Sequence, residues 1–333
     1  MENEVIKIED VAKIIPDRIR DSHKGTYGKV ALLGGAVEYS GAIRLSAMAL
    51  AALKSGAGLS TVAIPRYLVP IVSQNILEVM IYPIDSTENE IIFNKENIDG
   101  LLEKVDVLTC GMGLGKSKGA HEIVYYIIEN FKGKLVLDAD ALNILSENID
   151  ILSKAKCRIV LTPHMMEFKR LYDAAFVGSV VDDILSSNVG ANPTSVGAST
   201  ASPNIERVKQ FVTKYNITLL LKGPTTIVGA SPTPVGASIA SPNSVGASFT
   251  SPKIKLVDRG TPGMSTAGSG DVLSGIITGL LGYIENEFDA TVAAAFVNGL
   301  AGELAARDEG EISMTASDTV RHIAEAIKMI KGK

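Results

Sequence analysis

Short apolar segments recur along this chain, and each of them ends at a glycine-rich or polar cluster. Helical stretches lie between them, of which residues 40–55, rich in alanine and leucine, are the clearest. Strands that alternate with helices join through right-handed crossovers into a mostly parallel sheet. Strands that are apolar throughout suit a sheet covered on both faces, so the sequence predicts an α/β fold. The segments are Lys29–Leu33 and residues 59–64, 105–109, 135–137, 158–161 and 217–221.

Length and charge limit the class of protein. The 333 residues suffice for one large domain or for two smaller ones. The formal net charge of -5 leaves no basic excess to neutralise phosphates, so we expect no nucleic-acid partner and no anionic membrane surface. The most apolar stretch, residues 42–64, is interrupted by Arg44 and Lys54 and is therefore a poor membrane span.

The cysteines and the N-terminus indicate a cellular compartment. Cys110 and Cys157 are far apart and have no metal-ligand spacing, which favours two reduced thiols in the core. The first residues mix acidic and apolar side chains without the pattern of a signal peptide. The sequence therefore predicts a cytoplasmic protein.

Two near-identical segments break the alternating pattern. Residues 189–204 and 228–243 are uncharged and rich in Gly, Ser and Pro, and a partial copy follows at 244–252. Such a composition cannot bury much apolar surface, and a repeat fold would need contiguous copies. We therefore expect surface insertions near 189–204 and 228–252, with TTIV and KIKLV on either side of the second one pairing as a hairpin. A lid over a site is the alternative for residues 228–252.

The strongest motif is GTPGMSTAGSGDVLSG at residues 260–275, where small residues precede an apolar helix that begins near Asp271. Unpaired backbone N–H groups at such a helix start suit a phosphate. An acid beside that phosphate suits a general base for a substrate hydroxyl. The alternative is an Asp271 that only stabilises the helix dipole. Because ligands bind beyond the carboxyl ends of parallel strands, the motifs at those ends predict one shared active site.

The other candidates each have a structural alternative. Lys222 precedes Gly223 at a predicted strand end, which favours phosphate binding over a solvated charge. His164 follows a strand as well, where a capping role is equally natural, and Gly111 and Gly113 could simply end a strand. For a last group, turn and cap roles and orientation of a divalent cation through water remain equally open: Asp138, Asp140 and Asn143.

The run TPGMSTAGSGDVLSGIITGLL resembles the signature of the ribokinase-like superfamily, and in particular of its NAD(P)H-hydrate dehydratase branch. Residues 23–58 resemble the N-terminal signature of that branch, and DADALNIL, TPHMMEF and LLLKGPTTIV resemble its middle motifs. The resemblance implies a single domain over residues 1–333, built as a three-layer sandwich with a mostly parallel central sheet and helices on both faces. One departure concerns Met165 and Met166, which stand where the family commonly has Pro-Gly and put the geometry of the His164 loop in doubt.

The resemblance implies repair of hydrated NADH and NADPH, with ADP or ATP as co-substrate and Mg²⁺ held by the nucleotide phosphates and water. Asp271 would be the catalytic base. Ala42, Gly113 and His164, together with Asp271, would contact the hydrated dinucleotide. The residues that would bind the adenine nucleotide are Lys222, Gly223, Pro224, Thr225, Thr226, Gly268, Ser269 and Gly270.

Assembly and competing functions complete the expectations. A homo-oligomer, by resemblance a tetramer, is expected, and the alanine-rich residues 290–306 suit helix packing between subunits. No epimerase activity is expected, because the chain begins almost at the dehydratase motifs. A small-molecule kinase of the same fold is the main alternative, followed by a non-catalytic nucleotide sensor. A dehydrogenase is disfavoured, since no G-x-G-x-x-G follows the first strand.

Overall fold

A nine-stranded sheet organises the computed structural model, which describes residues 4–51, 55–176, 201–232 and 251–333. Its strands are β1 (Lys29–Leu33), β2 (Leu59–Pro65), β3 (Met80–Ile84), β4 (Val107–Cys110), β5 (Lys134–Leu137), β6 (Arg158–Leu161), β7 (Thr218–Leu221), β8 (Thr226–Ala230) and β9 (Lys253–Val257). They lie in the order β3-β2-β1-β4-β5-β6-β7-β8-β9. The pairs from β3 to β7 are parallel, while β8 and β9 are antiparallel, so the predicted mostly parallel sheet is confirmed.

Helices cover both faces of this sheet. Along β1, Val30 and Leu32 belong to one buried cluster, whereas Ala31 and Leu33 belong to a second cluster on the opposite face. The helices are α1 (Ile8–Ile14), α2 (Ser40–Ala51), α3 (Val69–Val72), α4 (Lys95–Leu102), α5 (Lys118–Asn130), α6 (Asp140–Glu147), α7 (Met165–Phe176), α8 (Ala201–Tyr215), α9 (Ser269–Leu281), α10 (Glu287–Glu309) and α11 (Ala316–Ile330). The first cluster includes α1, α2 and α9–α11, and the second includes α4–α8, which confirms the three layers.

The sequence pattern missed β3. This strand pairs with β2 alone and forms the edge of the sheet in the described structure. Pro83 interrupts its apolar run, and a residue without an N–H group is tolerated on an edge strand because no second ladder needs that donor. The partly exposed strand therefore lacks the continuous apolar pattern that marked the buried ones.

The predicted hairpin is confirmed, with corrected limits for the insertions. Ala230 pairs with Lys253, so the first residues of the 228–252 segment belong to β8. Likewise, residues 201–204 belong to α8 rather than to an insertion. Residues 189–200 and 233–250 lie outside the described part of the chain. Because Ala230 also pairs with Thr218, the first residue of β7, the segment leaves the sheet at the end opposite Lys222, which argues against the lid.

The packing of α10 corrects one expectation. Nearly every residue from 288 to 305 in this helix is buried against α9, α11, α1 and the sheet of the same chain. The alanines of 290–306 therefore serve packing within the subunit, because small side chains on all sides let an internal helix sit close to its neighbours. None of the described helices combines the length and the apolar character needed to cross a bilayer. Cys110 and Cys157 are free and buried, as expected.

Candidate active site

A groove of about 920 Å³ lies at the carboxyl ends of β6, β7 and β9. Most of the residues predicted to bind nucleotide line it, together with His164. Thr225 lies beside it and donates to Asp258 Oδ1 at 3.4 Å. The predicted residues in its wall are His164, Lys222, Gly223, Pro224, Thr226, Ser269 and Gly270. Sequence motifs separated by more than 100 residues therefore meet at one edge of the sheet, as expected for a parallel α/β fold.

The start of α9 forms one wall of this groove. Gly268 adopts the left-handed conformation, with φ 92°, and a Cβ there would collide with Leu45 of α2. The hydroxyl of Ser269 is buried, and no hydrogen-bond partner lies near it among the described residues. Gly270 faces Lys222, whose Nζ would lie 3.5 Å from an added Cβ. A helix start with free N–H groups, an unpaired hydroxyl and a nearby ammonium together suit an anion.

Lys222 is held between two carboxylates. Its Nζ donates to Asp138 Oδ1 at 2.9 Å and lies 4.0 Å from Glu167 Oε2. Burial alone lowers the pKa of Lys222, but the charges of Asp138 and Glu167 outweigh it and raise that pKa above its ordinary value. The ammonium is therefore charged at neutral pH.

Asp138 is 2% exposed and fully engaged. Besides Lys222, it accepts a hydrogen bond of 2.6 Å from Ser274 Oγ on α9. Burial raises the pKa of Asp138, yet the Lys222 charge and these hydrogen bonds outweigh it and hold the pKa below its usual value. The buried carboxylate thus ties the end of β5 to the end of β7 and to α9 as an anion.

Asp271 occupies the first turn of α9 and is only partly exposed. Burial, together with the charges of Asp138 and Asp140 and against that of Lys222, raises the pKa of its carboxyl group to about 7. Its backbone carbonyl accepts a hydrogen bond of 2.8 Å from Ser46 Oγ on α2. A carboxyl group with this pKa is partly ionised at neutral pH and can take up a proton there.

Ala42 and Gly113 lie next to each other, on the α2 side of Asp271. A Cβ at Gly113 would lie 3.3 Å from Ala42 Cβ and would also collide with the Tyr39 carbonyl. Gly113 has φ 58°, which other residues adopt with strain. Neither residue lines the groove of Lys222, whereas His164, another predicted dinucleotide contact, does.

His164 caps α7, as its structural alternative suggested. Its Nδ1 accepts from the backbone N–H groups of Met166 at 3.1 Å and Glu167 at 3.3 Å. Glu167 Oε2 in turn accepts from the His164 N–H at 2.8 Å, which completes a reciprocal cap. The His164 side chain stays 51% exposed and lines the groove, so capping leaves it accessible. Met165 and Met166 form the exposed first turn of α7 without disrupting this cap.

The acidic residues after β5 have protein partners. Asp140 Oδ2 accepts the Gly115 N–H at 2.9 Å, and Asn143 Oδ1 accepts from Arg170 at 2.7 Å. Between Asp138 and Asp140, Ala139 has φ 49°, a strained conformation for a residue with a side chain. Across the described residues, no group of three metal-ligating side chains comes together. These contacts argue against direct metal ligation by this group, and orientation of a cation through water stays a prediction.

The sequence reasoning missed one further wall of the groove. Arg259, Thr261 and Asn298 line it, from the loop after β9 and from α10. Arg259 pairs with Glu303 at 3.0 Å. Asn298 could have been found, because a carboxamide within the run AAAFVNGLAG is unusual in an otherwise apolar helix.

Comparison with known proteins identifies the family. A family model described as NAD(P)H-hydrate dehydratase matches residues 30–248 and 246–325. The bifunctional NAD(P)H-hydrate repair enzyme of Moorella thermoacetica is 32% identical over 95% of this chain and 52% of its own length. The ADP-dependent (S)-NAD(P)H-hydrate dehydratase of Cenarchaeum symbiosum is 30% identical over 96% of this chain and 95% of its own length. The chain thus spans about half the length of its bifunctional relatives.

Solved structures share the fold. A ribokinase-like superfamily protein of Enterococcus faecalis superposes with a TM-score of 0.73 at 22% identity, covering 100% of this chain and 98% of that one. The ADP/ATP-dependent NAD(P)H-hydrate dehydratase of Bacillus subtilis, co-crystallised with ATP and Mg²⁺, gives 0.71 at 20% identity over 99% of both chains. Because the family model and these relatives match almost its whole length, this chain belongs to the NAD(P)H-hydrate dehydratase family.

Proposed function

We propose that this protein uses ADP or ATP to dehydrate (6S)-hydrated NADH and NADPH, which restores NADH and NADPH. The observation that carries the proposal is Asp271, a carboxyl group with a pKa of about 7 at the start of α9, beside the Lys222 ammonium. A relative of nearly equal length, named as an ADP-dependent (S)-NAD(P)H-hydrate dehydratase, supports the choice of substrates.

The residues suit a phosphorylation followed by an elimination. Asp271 takes the proton of the ring C6 hydroxyl, and the hydroxyl oxygen attacks the terminal phosphoryl group of the nucleotide. The bond between this phosphoryl group and the rest of the nucleotide breaks, so AMP leaves when ADP is used. The C6–O bond then breaks with phosphate as the leaving group, and C5 loses a proton to water, which restores the C5–C6 double bond. Phosphate leaves far more readily than hydroxide. Lys222 and the α9 N–H groups stabilise the charge on the transferred group.

The proposed contacts divide between the two ligands. The nucleotide occupies the groove and contacts Lys222–Thr226 and Gly268–Gly270, and the hydrated dinucleotide contacts Ala42, Gly113 and His164. Mg²⁺ would be held mainly by phosphate oxygens and water, since no group of three ligating side chains comes together within the described residues. There it would neutralise phosphate charge.

The test is a coupled measurement on the purified protein. With hydrated NADH, ADP and Mg²⁺, we expect the absorbance of reduced nicotinamide to rise, with one AMP and one phosphate formed per NADH. A phosphorylated small molecule that accumulates without NADH formation would instead indicate a kinase. Neither product, in the presence of demonstrated nucleotide binding, would indicate a nucleotide sensor.

We also propose a homotetramer, by resemblance to the family. Because α10 is buried within the chain, its alanines do not form the interface, and another surface must do so. Light scattering at micromolar concentration should give the mass of four chains, and a monomeric mass would contradict the proposal.

A further inference from the structure

Asn298 presents a buried polar group that has no partner within the described structure. Its side chain is on α10, the residue is 8% exposed, and no donor among the described residues lies within hydrogen-bond distance of its Oδ1 atom. It lines the groove together with Ala295, one turn earlier on the same helix face, and with the adjacent Gly299. A buried carbonyl oxygen without a hydrogen-bond donor is unfavourable, so a ligand that supplies a donor to Oδ1 would remove this cost.

The surroundings of Asn298 differ from those of Lys222. Lys222, Ser269 and Gly270 supply a cation, a hydroxyl and N–H groups, which suit phosphates. Arg259, a cation in the same groove wall, is already paired with Glu303 at 3.0 Å and stacked 4.9 Å from the Phe296 ring centre. The apolar side chains of the groove wall are Pro224, Pro262, Met264, Leu273 and Ala295.

A neutral, flat ligand group with an N–H donor fits this part of the groove. When the phosphates of a nucleotide lie at the α9 start, its base is the group left to occupy the apolar part. This step rests on the proposed function for the identity of the ligand. We propose that Asn298 binds the edge of that base and selects adenine over 6-oxopurines.

The selectivity follows from the carboxamide. Its oxygen accepts and its amide nitrogen donates, side by side. Adenine offers the matching pair, an exocyclic N6 amine and the acceptor N7. Guanine and hypoxanthine offer two acceptors, O6 and N7, at the same edge, so neither orientation of the Asn298 amide satisfies both.

Binding measurements test this without the hydrated dinucleotide. Calorimetry with Mg²⁺ should show wild-type protein binding ADP at least about tenfold more tightly than IDP, in which an oxygen replaces the amine. Asn298→Leu should bind ADP more than about tenfold less tightly, and its ADP to IDP ratio should fall towards one. The matched control is Thr291→Val, which also replaces a buried polar group of α10 by an apolar one and should keep the wild-type ratio.

A second nucleotide analogue tests the wild-type protein itself, so the result does not depend on a variant that folds correctly. Purine riboside diphosphate lacks the amine and should bind to wild-type protein as weakly as IDP. Equal affinity for ADP, IDP and this analogue, or an unchanged ratio in Asn298→Leu, would overturn the role of Asn298 and leave the proposed function standing. Absence of binding by any adenine nucleotide would overturn both.

Discussion

The Lys222 ammonium donates a hydrogen bond of 2.9 Å to the buried carboxylate of Asp138, which links the carboxyl ends of β7 and β5. The ion pair stands at the wall of the groove, with Lys222 lining it and Asp138 behind. A phosphate that binds Lys222 therefore meets a cation already held in one position. Removing either partner leaves a buried, uncompensated charge or loses that positioning.

We expect Lys222→Met to destabilise the fold by about 3–5 kcal/mol, because Asp138 then lies buried without its counter-charge. The double variant Lys222→Met with Asp138→Asn should recover most of this loss, since the asparagine oxygen can still accept from Ser274. Chemical denaturation gives both values. With ADP at about 100 times its dissociation constant, the free energy of unfolding of the wild-type protein should rise by about 2.7 kcal/mol, and both variants should lose this stabilisation. A double variant as unstable as the single one would contradict the ion-pair argument.

Asp271→Asn should keep the fold and lower turnover by roughly 10²- to 10⁴-fold, because the general base is lost. Single-turnover kinetics with hydrated NADH and ADP measures this. Turnover within a few-fold of wild type would remove Asp271 from the mechanism.

The stability of the same variant provides an independent check. The folded-state pKa of Asp271 is raised from 3.8 to about 7, so the folded protein binds this proton more tightly than the unfolded chain does. The stability that this provides is complete below pH 3.8 and is lost as the pH rises through about 7. Asp271→Asn avoids that loss and should be more stable than wild type at about pH 8, by roughly 1–4 kcal/mol, but not at about pH 4. An equal stability difference at both pH values would contradict the raised pKa.

The pH profile of kcat/KM for ADP should rise with pH through about 7, because only ionised Asp271 accepts a proton. Asp140→Asn removes a charge that raises the Asp271 pKa, while its oxygen can still accept the Gly115 N–H. Its profile should therefore shift to lower pH by a fraction of a unit. A shift to higher pH would contradict the conclusion that the Asp140 charge raises the pKa of Asp271.

Shortening the insertions should leave catalysis intact. Because Ala230 and Lys253 are paired, replacing residues 231–252 by Asn-Gly should give a tight two-residue hairpin. A separate deletion of residues 189–200 stops before α8. We expect turnover within about tenfold of wild type in each, a change in barrier below about 1.4 kcal/mol. A folded variant with a larger loss would show that the insertion contributes to function.

Local patterns were sufficient to predict most of the fold and the edge that carries the site. The buried strands are continuous apolar runs, and their glycine-rich ends lie at one edge because the sheet is parallel. The KIKLV strand was predicted with its observed bounds, and the start of α9 within two residues of Asp271. The edge strand β3 was not predicted, because partial exposure and Pro83 weaken its apolar pattern.

Tertiary structure alone decided the chemistry of the groups at that edge. The pKa of Asp271 depends first on burial and then on Asp138 and Lys222, which directly follow β5 and β7. Lys222 and Asp138 are 84 positions apart, and nothing in either motif specifies their pairing. The carboxamide of Asn298 stands out in the sequence, but its unpaired Oδ1 and its place in the groove appeared only in the tertiary structure. Burial and electrostatic interaction depend on distances in space, whereas the patterns of a sequence record only neighbours along the chain.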